Sequence, residues 1–152
     1  MHLTTYLHFL RTTEETLGDS YRTVSDGHGA DSDVHWTTAR FARQCTAHAQ
    51  ALAPVLDRYA PAEEPAPERL HVQGLASVRN GPAGLLRDLQ DLYQLTNLVD
   101  ITWTLIRQAA SAVRDRDLID LTHQCGQETT AQLDWTRMRM KVAAPQTLIV
   151  AT

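Results

Sequence analysis

The sequence has little that would commit it to nucleic acid, membrane or extracellular chemistry. Lys141 is the single lysine, and the 14 Lys and Arg residues are outnumbered by 18 Asp and Glu, for a formal net charge of −4. No basic stripe forms, so a nucleic-acid partner is not expected. No apolar run approaches the roughly 20 residues that a membrane-spanning helix needs. Cys45 and Cys125 are the only cysteines, too few for a disulfide framework, so a reducing, cytoplasmic setting is the expectation. The first ten residues offer neither a basic leader nor a clean apolar stretch, and no signal peptide is expected. Strand alternation, a glycine-rich phosphate loop and paired-cysteine zinc motifs are all missing.

What is present is helical rhythm. Hydrophobic residues make up 43% and charged residues 21% of the 152, a globular balance at a length suited to one domain. Apolar residues recur in steps of three and four over four long segments. The first runs from about Leu3 to Ser25 and ends at Asp26-Gly27-His28-Gly29. The second runs from about Asp33 to Tyr59, with Ser32 or Asp31 as cap and a kink expected at Pro54. A proline- and glutamate-rich stretch of about twenty residues follows, with room for a short helical turn around Leu70 to Val78. The third segment starts after Asn80-Gly81-Pro82 and reaches about Val113. The fourth, capped near Asp115 to Asp117, is expected to stop at Pro145. These lengths predict an all-α protein, an antiparallel four-helix bundle. Short links join its first and last helix pairs, and a long crossover joins helices two and three. Residues 1–145 form the bundle and 146–152 an apolar C-terminal tail.

The informative residues are polar ones on stripes that should be apolar. Glu14 sits between Leu10 and Leu17. Cys45 and His48 lie one turn apart on the second stripe, and Cys125 and Glu128 repeat that spacing on the fourth. Asp100 falls one position off the third stripe, beside Val99 and Trp103, and needs a partner such as Arg107 or His48. Counting residues from the first hairpin turn puts Glu14 and Cys45 at one height. The crossover leaves the offset between the two helix pairs open. Glu14, Cys45, His48, Asp100, Cys125 and Glu128 are thus the candidate metal ligands. Two thiols, an imidazole and carboxylates suit zinc better than iron. His48 also reads as a hydrogen-bonded core histidine, the cysteines as small core residues or a reversible disulfide pair, and Trp103 and Trp135 as packing. His123 flanks the fourth-helix positions. His2, His8, His28, His35 and His71 are expected to be exposed.

These positions resemble the ferritin-like superfamily. Its di-iron members carry a Glu on each of two helices and a Glu-x-x-His pair on each of the other two. Glu14 matches the first Glu and His48 the first histidine, with Asp100 as a shorter carboxylate. Cys45 stands where a Glu is expected, and Cys125-Gly126-Gln127-Glu128 matches at neither end. The likeness therefore implies a degenerate member with most of the ligands replaced. It implies a structural or interaction role, most simply as a homodimer, in place of iron oxidation. A metal-binding bundle holding zinc or iron is the alternative. A further resemblance, to DinB-like transferases, rests on His48 alone, since no histidine pair follows His123. No nucleophile is paired with an oriented base, so a catalytic residue is not assigned. Leu148, Ile149 and Val150 read as a docking segment for a partner protein.

Overall fold

The structure is a computed structural model that describes residues 2–59, 61 and 72–151. It is an all-α bundle of four helices with no strand among the described residues: α1 His2–Gly27, α2 Ser32–Arg58, α3 Gly84–Ala112 and α4 Arg116–Pro145. The elements lie within a residue or two of the expected ones at most ends. Helix α2 passes through Pro54 and ends four residues later at Arg58. The turn expected around Leu70 to Val78 is absent over the described residues 72–78; Leu70 and His71 lie outside them. Asp115 caps α4 as expected, its carboxylate accepting from the Leu118 amide at 3.1 Å. Asp31 occupies the N-cap position of α2 but makes no side-chain capping bond, its carboxylate pairing instead with Arg139. Helix α4 runs through Pro145, which has no amide to donate, and the ladder widens into a π-helical turn over Gln146–Val150.

The apolar stripes meet in one core. Leu7, Leu10, Leu17 and Tyr21 of α1 join Phe41 and Leu52 of α2, Leu89, Leu92, Trp103 and Ile106 of α3, and Leu118 of α4. Helix α1 packs against α2 and α3, and α4 packs against α3 and more lightly against α2. Gly18 lets α1 lie close against α2. A Cβ added there would lie 3.2 Å from the Cys45 Cβ. Between α1 and α3 the partners are Glu14 with Trp103 and Tyr21 with Thr96, and His28, in the turn just after α1, bonds Asp88 of α3. Between α2 and α4 they are Phe41 with Trp135, Cys45 with Gln132, and His48 with Glu128.

The connecting segment 72–83 is strapped to the bundle by polar bonds. The Leu75 amide donates to Ser20 Oγ at 3.1 Å. Farther on, the fully buried Asp88 gathers three donors: the Arg79 amide at 3.0 Å, Arg79 Nη1 at 2.8 Å and His28 Nε2 at 2.7 Å. One carboxylate thereby ties the α1–α2 turn, the strap and the start of α3 together. His28 is consequently part-buried and bonded where the sequence reading left it exposed, and so is His35, whose Nδ1 bonds the Ser25 carbonyl at 2.7 Å.

Gly18→Val is expected to wedge α1 from α2 and cost about 1–3 kcal/mol in urea unfolding. Gly126→Ala, whose added Cβ meets nothing within 4 Å, should stabilise by roughly 0.4–1 kcal/mol. Equal effects of the two would contradict the packing described. Asp88→Ala leaves buried donors without an acceptor and should cost about 2–3 kcal/mol by the same measurement. A loss under half a kcal/mol would show that the clasp is not formed.

Candidate functional site: a buried polar knot

Three consecutive turns of α1 put Leu10, Glu14 and Leu17 on one stripe, and the structure buries all three completely. Glu14 is therefore a carboxylate in the middle of the core, where an unpaired charge would be prohibitive. Two donors meet it. His48 Nδ1 lies 2.9 Å from Glu14 Oε1, and Trp103 Nε1 donates to the same oxygen at 2.8 Å. The other ring nitrogen of His48 lies 3.4 Å from Glu128 Oε1, whose side chain reaches partly into solvent. Helices α1, α2, α3 and α4 each contribute one side chain: Glu14, His48, Trp103 and Glu128. The imidazole is the hub, and Trp103 also packs edge-on against it, the planes 88° apart.

Charge follows from this geometry. Burial alone would lower the His48 pKa, but bonds to Cys125 and Glu14, and the negative charge of Glu14, hold it up at about 10. A pKa raised that far favours the imidazolium form of His48 at neutral pH, with Glu14 at one ring nitrogen and Glu128 at the other. Cys45, also fully buried, has its thiol pushed well above the ordinary range by burial first and then by the neighbouring Glu14. It is a neutral thiol, and its sulfur also lies 4.0 Å from Gln132 Oε1. Gln132 Nε2 in turn donates to Gln44 Oε1 at 3.0 Å. Tyr21 closes the layer beneath, bonded to Thr96 at 2.7 Å and kept protonated by burial.

The sequence-derived candidates divide accordingly. Glu14, His48 and Glu128 are joined through His48, with Cys125 against the imidazole and Cys45 against Glu14. The register left open by the crossover is fixed by those pairs. Asp100 is elsewhere. It turns to the α3–α4 groove with Arg107 and His123, and bonds Thr130. Burial and Asp134 raise its pKa, and the Thr130 bond opposes them. Its offset by one position from the stripe rotates it away from the core, so it pairs with neither Arg107 nor His48. The two cysteines are not level. Cys45 is level with Gln132, and Cys125 lies about two turns before Gln132 on α4, roughly 10 Å along the axis from the level of Cys45. That separation is beyond disulfide reach. Sequence reasoning missed Trp103 as a donor. The signal was there, since a buried indole N–H must find an acceptor.

A di-iron or zinc centre does not fit this arrangement. Both ring nitrogens of His48 are taken by carboxylates, Asp100 faces away, and the indole occupies the Glu14 oxygen that a metal would share. Among the described residues no group of three or more His, Cys, Asp or Glu side chains is placed to hold a metal ion. Glu14 Oε2 is the one buried side-chain oxygen with no bond among the described residues.

Because the folded His48 pKa is raised, its contribution to stability is fully present below the unfolded value of about 6.5 and fades as pH rises toward 10. Unfolding free energy should therefore fall between pH 6.5 and 9 in the natural protein. His48→Gln should flatten that slope while lowering stability at pH 6 by about 3 kcal/mol. An unchanged slope in the variant would show that the imidazole is not charged in the fold.

Comparison with protein families, characterised proteins and solved structures returned no match.

Proposed function

We propose that this chain is a non-enzymatic helical protein of ferritin-like layout, whose work is structural or interactive and whose former ligand positions serve as an internal charge network. The observation that carries it is the meeting of one polar side chain from each of the four helices at His48. Ferritin-like centres are built in that way, from inward side chains on facing helices. Here the meeting point holds His48, an indole and two glutamate side chains, and both imidazole nitrogens are already bonded, although Glu14 Oε2 has no partner among the described residues.

The antiparallel layout with a crossover is supported by the pairing order. Along α1 and the turn after it, residues 14, 21 and 28 take partners 103, 96 and 88 on α3. Along α2 the residues 41, 45 and 48 take 135, 132 and 128 on α4. Numbers that rise on one helix fall on its neighbour, as antiparallel packing requires. Tyr59 at the end of α2 bonds Asp115, while the strap before α3 bonds Asp88 and reaches the α1–α2 turn, so the link between α2 and α3 spans the bundle. An interaction role is supported by apolar side chains left in solvent, foremost Ile149 at 81% exposure with Leu148 and Val150 beside it. We assign that turn to a partner protein, and the assembly of the chain to a homodimer. No helix of the described residues is long and apolar enough to cross a membrane.

Metal analysis of untagged protein, before and after chelator, tests the reading. The expected result is no stoichiometric zinc or iron, and a melting temperature that chelator leaves unchanged. One tightly held metal per chain, lost together with thermal stability on His48→Ala, would overturn it and make the second oxygen of Glu14 a ligand.

A further inference from the structure

The groove between α3 and α4 holds charged side chains that the bundle does not pair. Asp100, Thr104 and Arg107 line it from α3, and His123, Gln127 and Thr130 from α4, each trio at the spacing of one helix face. Its volume is about 370 Å³, within the range of small-ligand sites. Trp103, whose indole N–H enters the polar knot, forms part of its floor. Gly126 lies in the wall, and a Cβ added there would meet nothing within 4 Å. The groove is therefore open at mid-length.

The charges are sorted along it. Asp100 and Thr130, which bond each other, each lie fifteen residues from Asp115 in the α3–α4 turn. Arg107 and His123 each lie eight residues from it. The two pairs therefore sit at two levels, about 10 Å apart along the helices. That is too far for Asp100 to pair with Arg107. Among the described residues the Arg107 guanidinium, the His123 ring and the Gln127 amide have no hydrogen-bond or ion-pair partner. Burial raises the Asp100 pKa, the Thr130 bond opposes it and Asp134 adds to it, and no cation is among the groups that set it. A lone surface charge is ordinarily solvated and needs no partner. Two features set this groove apart: opposite signs at the two ends of one hollow, and a glycine between them.

We propose that this groove binds a small linear zwitterion whose charged ends lie about 10 Å apart, its ammonium at Asp100 and its carboxylate at Arg107 and His123. A guanidinium takes a carboxylate through two parallel N–H donors, and the imidazole offers one more. An extended tripeptide with free termini has that span, at about 3.3–3.6 Å per residue. Thr104 and Gln127 lie between the two levels, where they can bond its amides, and Gly126 leaves room for its backbone. The proposal adds a ligand to the non-enzymatic reading and does not depend on it.

Calorimetric titration of the full chain with trialanine at low ionic strength, with amide NMR to locate the peptide, tests the site. One trialanine should bind per chain and shift the Gly126 amide. The N-acetylated and C-amidated peptides each lack one terminal charge and should each bind about tenfold more weakly. Asp100→Asn should weaken trialanine by the same factor and leave the acetylated peptide unchanged. Arg107→Gln should do the same for trialanine and the amidated peptide. Gly126→Leu, whose side chain fills the groove, should abolish binding while circular dichroism stays helical. No binding up to about 10 mM peptide, blocked peptides that bind as well as trialanine, or an unchanged affinity in Gly126→Leu would overturn the proposal.

Discussion

The buried pair of Glu14 and His48 is the constraint that the rest of the structure answers to. A carboxylate with no exposed surface is tolerable only if charge and donors reach it from the other helices. His48 supplies the charge from α2 and Trp103 a neutral donor from α3. Glu128 then steadies the far nitrogen from α4. Each of these contacts is satisfied at one rotation and one height of its helix. Apolar packing alone tolerates sliding; a shared imidazolium does not. The polar knot therefore selects one register among the many that four amphipathic helices could adopt, a role for which buried polar groups have precedent.

A second carboxylate performs the same service at the end of the bundle. Asp88 joins the α1–α2 turn, the strap and α3 through His28 and Arg79. The two sites divide the work: the knot fixes how the helices face each other, and the clasp fixes where the crossing segment lands. Between them the core is ordinary, with Tyr21, Phe41 and Trp135 stacked edge to face. The large exposed apolar residues fall outside both sites and are spread over the surface, from Trp36 on α2 through Ile101 and Leu105 on α3 and Met138 and Val142 on α4 to the C-terminal turn.

Much of this was legible in the sequence because helical periodicity is a local property. The stripes placed Glu14, Cys45, His48 and Cys125 in the interior, and they are buried. The hairpin count put Glu14 and Cys45 at one height, and Glu14 is close enough to Cys45 to push its thiol pKa up. Periodicity could not show the offset between the two helix pairs, which depends on a crossover of flexible length. It therefore could not show that His48 meets Glu128. Nor could it resolve Asp100, where an error of one residue in phase is a rotation of about 100°. The Asp88 clasp was invisible for a related reason. Asp88 reads as one more charge among Arg87 and Asp91, and only the return of the strap makes it a buried acceptor. Ligand-like spacing, finally, says which side chains share a face, and not whether they will bind a metal or one another.

The central claim is that His48 is a charged imidazolium held inside the core. Nitrogen NMR of histidine-labelled protein, titrated from pH 6 upward, reads its protonation directly. The account predicts that both ring nitrogens of His48 stay protonated until the pH nears 10. A neutral His48 ring at pH 7, with one bare nitrogen, would contradict it.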